Sequence, residues 1–220
     1  MHSVKLLGLR ISVYTRIARL ALAEKKVDYE LEEVDIFADE GPPEDYLALH
    51  PFGRIPCLLY GDFCLYETSA ICRYIDEGFV GPELQPANPA PRARMTQIIG
   101  ALDHYGYRPM VWDVYVQREV IPASGGLADE ALISSALPEI EILLRQLDEW
   151  LGAGEFLIGD AISLADLHAY PMLRYFIETA EGAAMLASFP RLAGWMARMQ
   201  SRPSARTTSF HSAQANETGF

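Results

Sequence analysis

Three short stretches of this sequence put residue types where they can do chemistry. Ser12 ends a loop and directly precedes a helical run, so its hydroxyl and the positive end of the helix dipole point at one place. A thiolate would be stabilised there, and lowering a thiol from about 8.5 to about 6.5 requires about 2.7 kcal/mol of preference for the anion. In that role Ser12 is a donor and not a nucleophile. Tyr14 and Thr15 are alternative donors, and a plain helix cap is the simplest role for Ser12. At Ile55-Pro56, a proline between loop and strand is compatible with a cis peptide. Such a turn leaves the N–H and C=O of Ile55 free to pair with an extended peptide ligand as an added strand. Thr68 opens a second helix, whose free N–H groups favour a carboxylate, and Glu67 then faces an amino group. Together the two suit a zwitterionic end, although Thr68 can also serve as a cap and nothing more.

The elements that must position these residues alternate. Val4 to Leu9 reads as a strand, Val13 to Lys26 as a helix and Tyr29 to Ile36 as a strand, a β-α-β unit. An acidic loop from Asp35 to Asp45 follows, with a short helix over Glu44 to Leu49. Ile55 to Tyr60 and Phe63 to Tyr66 form a hairpin around Gly61-Asp62, and Thr68 to Glu77 is a helix stopped by Gly78. Five prolines and glycines between Gly81 and Pro91 mark an interdomain linker, 81–91. Everything beyond is helical. Ile140, Leu143, Leu144, Leu147, Trp150 and Leu151 line one stripe, and Leu192, Trp195, Met196 and Met199 line another. Ser163 and Asp166 stand at the two ends of a capping box, with Ile162 and Leu167 at the staple positions, so a helix starts at Ser163. Pro171 should kink this helix without ending it.

Composition narrows the partners. The chain has 220 residues, 18 Lys plus Arg against 30 Asp plus Glu, and a net charge of −12, which repels phosphate backbones and anionic lipid surfaces. No nucleic acid and no membrane are expected as partners. No run approaches a membrane span and no signal peptide is evident, so the chain is expected in the cytoplasm. Cys57, Cys64 and Cys72 show no C-x-x-C pair, so they read as small buried hydrophobes, with a reactive thiol as the alternative. No metal is expected.

The run Phe52-Gly53-Arg54-Ile55-Pro56-Cys57-Leu58-Leu59, followed by Leu65-Tyr66-Glu67-Thr68-Ser69-Ala70-Ile71, resembles the glutathione-binding core of the glutathione transferase family. Ser12 to Leu22 and Gly159 to Asp166 match in the expected order, so the resemblance extends from Val4 to about Ser204. It implies an N-terminal thioredoxin-like α/β domain, 1–80, then the linker, an all-α domain over 92–210 that selects the electrophile, and a tail at 211–220. Glutathione enters as co-substrate: its cysteinyl unit on Ile55-Pro56, which the resemblance makes cis, and its γ-glutamyl end on Glu67 and Thr68. The family differs in whether Tyr, Ser or Cys meets the sulfur. No Tyr stands among Leu6 to Leu9 and no Cys near Ser12, so the chain is similar to the serine-type classes, phi- or theta-like or another bacterial-type class.

The implied reaction is attack of the glutathione thiolate on a small hydrophobic electrophile, in a homodimer. Glutathione-dependent reduction of peroxides or disulfides is one alternative, and a non-catalytic binding or regulatory module is another. Two departures from the family pattern stand out. Val13 follows Ser12 where many relatives have Pro, and Asp39, Glu40, Glu44 and Asp45 crowd a loop where relatives often place basic residues for the glycyl carboxylate. Arg54 and His50 are the substitutes. Tyr105, Tyr107 and Trp112, in the first long helix of the second domain, are candidates for the electrophile pocket together with Tyr14, with helix packing as the plain alternative. Asp166 and His168 are expected to be structural.

Overall fold

The structure, a computed structural model, describes residues 3–210. The chain forms two compact units, one of residues 3–83 together with 201–210 and the other of residues 84–200. The first contains a four-stranded sheet of order β2-β1-β3-β4, built from β1 (Val4–Leu7), β2 (Tyr29–Glu32), β3 (Cys57–Tyr60) and β4 (Phe63–Tyr66). β2 runs parallel to β1, while β3 is antiparallel to both β1 and β4. Helix α1 (Val13–Lys25) crosses between the parallel strands, α2 (Glu44–Leu49) precedes β3, and α3 (Thr68–Gly78) follows β4. All four strands fall inside the expected runs; β1 and β2 stop short of the expected ends at Leu9 and Ile36, β3 begins two residues after Ile55, and β4 spans its whole run.

Helix α1 is buried on nearly every side, which requires its polar residues to be matched. Lys25 Nζ pairs with Asp76 of α3 at 3.1 Å and also donates to the Asp76 carbonyl. On another side, the chain returns from the second unit as α10 (Pro203–Thr207) and packs on α1. Arg16 donates to the Ala205 carbonyl and Arg19 to that of Thr208, while Arg202 and Ser204 both donate to Glu24. Burial opposes ionisation of Glu24, but these two hydrogen bonds outweigh it and hold the carboxyl below its ordinary range. The expected second domain, 92–210, therefore gives up 201–210 to the first unit. Arg16 and Arg19 are the reason: guanidinium groups on a buried helix face need acceptors, and the carbonyls at the end of a short helix supply them. The expected tail, 211–220, lies outside the described residues.

The second unit begins with α4 (Pro89–Ala101), so the last residues of the expected linker are helical. Pro89 and Pro91 occupy its first turn, where a missing N–H leaves no hydrogen bond broken. The helix then winds on with π-helical bonding over Leu102–Gly106 and Arg108–Val120, in which Tyr107 donates to Leu102 and Ile121 to Val116, and closes with one α-helical turn, α5 (Ile121–Ala123). The remaining helices are α6 (Glu130–Leu151), α7 (Leu164–Phe176), α8 (Ala180–Ala187) and α9 (Pro190–Ser201). The stripes expected on α6 and α9 are buried except for Trp150, which is half-buried at the edge of its stripe, and Pro171 leaves α7 helical through Phe176.

The capping box at the head of α7 is formed. Asp166, fully buried, accepts from the backbone N–H and hydroxyl of Ser163, from the Leu157 N–H at 2.9 Å and from Trp195 Nε1 at 2.8 Å. One carboxylate thus ties α7 to the preceding loop and to α9. One turn on, His168 is also fully buried, with Nδ1 bonded to the Leu164 carbonyl at 2.8 Å and no partner for Nε2. Burial disfavours the imidazolium and pushes His168 down to about 4. In the unfolded chain the ring titrates near ~6.5, so the unfolded state binds more protons below that value. The stability contributed by the neutral ring is complete above about pH 6.5 and is lost as pH falls towards about 4. Urea unfolding should show a loss of about 2 kcal/mol between about pH 7 and about pH 5 from this group, and His168→Gln should flatten that part of the profile. An unchanged slope in the variant would remove His168 as its source.

Candidate functional site

The sheet register brings the three chemical stretches together. Leu7, the last residue of β1, pairs with Cys57, the first of β3, and Cys57 pairs in turn with Tyr66, the last of β4. The residues just beyond those ends are the loop to Ser12, the Ile55-Pro56 peptide and the Glu67-Thr68 pair, so all three emerge at one end of the sheet.

Ser12 is the N-cap of α1, with extended backbone, and its Oγ accepts from the Thr15 N–H at 3.3 Å. The hydroxyl hydrogen has no acceptor among the described residues and remains available to a ligand. Val13 is buried as the first residue of the helix. Tyr14 is half-buried. Thr15 is fully buried, with its hydroxyl packed against Gly8, where a Cβ would lie 2.4 Å from Thr15 Oγ1. Of the two fallback donors only Tyr14 thus has any exposure.

The Ile55-Pro56 bond is cis. Neither the N–H nor the C=O of Ile55 is hydrogen-bonded among the described residues. The loop is held from below by Tyr46 of α2, whose hydroxyl donates to the Arg54 carbonyl at 2.5 Å and is pushed above its ordinary pKa by burial. Gly53 takes φ +59 in the turn ahead of it, a conformation that L side chains resist, and its N–H donates to the His50 carbonyl.

Glu67 has φ 69 and ψ 111, a region that costs a non-glycine residue about 1–3 kcal/mol. It is exposed, and as N-cap of α3 it makes no side-chain bond to the helix, whose first turn holds no acidic residue. The free N–H groups at the start of α3 are therefore left to a ligand anion, with Thr68 buried beside them. This uncapped terminus departs from the simple cap that a threonine at this position would also suit.

His50 and Arg54, the two candidates for a carboxylate, differ in placement. His50 is 2% exposed, and its ring stacks on Tyr66 at 4.6 Å with Phe52 edge-on. Burial lowers its pKa, and the Glu67 carboxylate only partly offsets this. It is a neutral packing group under the site. Arg54 is exposed and has no carboxylate within ion-pair distance among the described residues. Asp39, Glu40, Glu44 and Asp45 are all exposed, the last two in the first turn of α2 where they complement the helix dipole.

In the second unit the aromatic run does not form the helix core. Tyr105 is 66% and Trp112 38% exposed, with Tyr107 half-buried, while Leu102, Gly106, Met110 and Val114 turn inward. Among the described residues no group of three or more His, Cys, Asp or Glu could hold a metal ion, and no helix is long and apolar enough to cross a membrane.

A four-stranded sheet with a cis-proline edge open for an extended ligand and an uncapped helix N-terminus beside it defines a thioredoxin-like fold, and the second unit is all-α. Residues 11–77 match the glutathione S-transferase N-terminal domain and residues 106–203 the glutathione S-transferase C-terminal domain. The chain is 30% identical to glutathione S-transferase F13 of Arabidopsis thaliana over 203 residues, 91% of this chain and 92% of that one. The crystal structure of glutathione transferase F7 from Populus trichocarpa superposes with a TM-score of 0.83 at 31% identity, covering 93% of this chain and 97% of the other. Glutathione S-transferase I from maize, solved in complex with an atrazine glutathione conjugate, has a TM-score of 0.81 at 27% identity over 94% and 96%. The chain belongs to the glutathione S-transferase family, and its plant relatives are of the serine-type phi class.

Two features of the site had no sequence signal read in advance: the positive φ of Glu67 and the Tyr46 to Arg54 bond. A tyrosine eight residues before an Arg-Ile-Pro turn, in a helix too short to bury much else, is the pattern that would have suggested the bond. Tyr46→Phe should lower the unfolding free energy by about 1 kcal/mol, the net worth of one neutral hydrogen bond, measured by urea denaturation. A stability equal to the parent's would show that the loop does not depend on it.

Proposed function

We propose that this protein transfers glutathione to small hydrophobic electrophiles, with Ser12 holding the sulfur as thiolate. The observation that carries this reading is the convergence at one sheet end of an unengaged Ser12 hydroxyl, an unpaired Ile55 peptide edge and an uncapped α3 terminus. The cysteinyl N–H and C=O pair with the Ile55 backbone as an added strand beside Pro56. The γ-glutamyl carboxylate lies on the α3 N–H groups and the Thr68 hydroxyl, and Glu67 accepts from the α-ammonium. Arg54 takes the glycyl carboxylate, and His50 supports that loop from beneath. Hydrogen bonding from Ser12 and the dipole of α1 favour the thiolate over the thiol, so the sulfur attacks an electrophilic carbon at neutral pH. In substitution the leaving group departs with the bonding pair; in addition the developing carbanion takes a proton. Tyr105, Tyr107 and Trp112 supply apolar surface for the acceptor, and Tyr14 is the aromatic neighbour of Ser12 along the chain. The working form is a cytoplasmic homodimer, as the family implies.

The test is conjugation of glutathione to a panel of aryl halides, enals and isothiocyanates. Ser12→Ala should lower kcat about tenfold or more, corresponding to about 1.4 kcal/mol of thiolate stabilisation, and should raise the pKa of bound glutathione read from thiolate absorbance. Rates unchanged on every active acceptor would remove Ser12 from the role. Arg54→Gln should instead raise KM for glutathione about tenfold with kcat preserved, the signature of a ground-state contact. A KM equal to the parent's would leave the glycyl carboxylate to another group.

A further inference from the structure

Beneath the cis-proline loop lies a pair of thiols that the transfer reaction does not use. Cys57 pairs with Tyr66 and Cys64 with Leu59, so the two cysteines are diagonal neighbours on one face of the β3–β4 hairpin. Their sulfurs are 3.4 Å apart. Both belong to the small apolar cluster formed by Leu7, Val34, Tyr46 and Ile55. Cys64 Sγ also lies 3.6 Å from the Leu49 carbonyl, to which it can donate, and its lone pairs then accept from Cys57. Cys72, the third cysteine, is on α3 and outside this cluster.

We propose that Cys57 and Cys64 form a redox-active dithiol that a small hydroperoxide oxidises to an intramolecular disulfide. Bridging needs the sulfurs to close by about 1.4 Å to reach the disulfide length of about 2.05 Å, which for diagonal neighbours takes side-chain rotation together with a small shift of the hairpin backbone. The two thiols are not equivalent. Cys64 is half-buried and reachable by a small oxidant, whereas Cys57 is fully buried and its thiol is pushed up to about 12 by that burial first and then by Cys64. Cys64 therefore reacts first. Its thiolate attacks the terminal oxygen of R–O–O–H, the O–O bond breaks, the alcohol R–OH leaves with a proton, and Cys64 becomes a sulfenic acid. The Cys57 sulfur then attacks the sulfenic sulfur, the S–O bond breaks, and the oxygen leaves as water with the Cys57 proton. Two thiols lose two electrons and one hydroperoxide gains two, giving one disulfide, one alcohol and one water. A small thiol reverses the state by exchange, ending as its own disulfide.

This inference is independent of the role given to Ser12, because it concerns a different side-chain cluster and its readout does not use transferase activity. The full chain, reduced and freed of reductant, is treated with millimolar hydrogen peroxide, blocked with an alkylating agent, unfolded and analysed by peptide mass spectrometry. Of the three cysteine thiols in the chain, only Cys72 should remain titratable, with a crosslinked peptide pair joining Cys57 to Cys64, and dithiothreitol should restore all three. Cys57→Ser should stop at a Cys64 sulfenic acid that dimedone traps, and Cys64→Ser should keep both remaining thiols. Should the parent keep all three thiols under conditions that oxidise free cysteine fully, or Cys64 be oxidised while Cys57 stays a thiol, the proposal is overturned. The parent measurement stands even where a variant folds poorly.

Discussion

Leu7 opposite Cys57 opposite Tyr66 is the line of pairing on which the ligand-facing end of the first unit depends. Hydrophobic alternation cannot be what fixes it. Leu6 and Leu58 on one face and Leu7 and Cys57 on the other are all buried, so a slip of one residue would exchange one apolar set for another. The turn fixes it instead. Gly61 adopts φ +61 and closes a two-residue connection in which Tyr60 meets Phe63, and a tight hairpin permits one register only. From that turn inward the pairing carries Cys57 to Tyr66, and so sets where Ile55-Pro56 and Glu67-Thr68 leave the sheet. Tyr46 then holds the loop from the other side, by a bond to Arg54 that belongs to α2 and not to any strand.

What the sequence disclosed follows from the range of the interactions involved. The hairpin, the α1 cap at Ser12 and the box at Ser163 and Asp166 are local patterns, settled by residues within a few positions of one another, and each was legible. The return of 201–210 to the first unit rests on Arg16 and Arg19 meeting carbonyls almost the whole chain away, and no local pattern carries that information. The Cys57 and Cys64 contact is intermediate: seven positions apart, it becomes visible once the hairpin register is known. Helix packing, the plain alternative for the aromatic run, failed for a different reason. A stripe argument assumes the α-helical period, and Leu102 to Val120 winds with i→i+5 bonding, which has more residues per turn and shifts every face. Tyr105 and Trp112 consequently face outward.

The strained backbone at Glu67 is best understood beside the relaxed one at Ser12. Ser12 caps its helix in ordinary extended geometry, so its hydroxyl serves the fold as an acceptor from Thr15 while its hydrogen stays free. Glu67 does not cap at all. Its backbone has positive φ and its carboxylate makes no bond to the α3 N–H groups, which leaves those donors and that acceptor separately available. A capping Glu67 would satisfy the helix internally and abolish the paired recognition of a carboxylate and an ammonium. The conformational cost is thus tied to keeping two opposite partial charges apart at one point.

Charge places a further constraint on the ligand. The chain carries a net −12, and the proposed ligand, with two carboxylates and one ammonium, is itself anionic and becomes more so as the thiolate. The long-range field therefore opposes binding. What favours it must act at contact distance, and the proposed contacts do so: helix N-termini at α1 and α3, the Ile55 peptide and the Arg54 guanidinium. These differ from the field in how salt affects them. At about 0.1 M ionic strength the Debye length is about 10 Å, so repulsion from the acidic loop is damped while direct hydrogen bonds are not. The exposed acids before the peptide edge consequently weaken with salt faster than the donors that hold the ligand, and the site works as a set of fixed short-range dipoles in an unfavourable surrounding potential. In the proposed arrangement Arg54 is the mobile cation among them, so the glycyl end is assigned to a single flexible side chain, the sulfur to the Ser12 hydroxyl and the α1 terminus, and the γ-glutamyl carboxylate chiefly to backbone N–H groups at the head of α3.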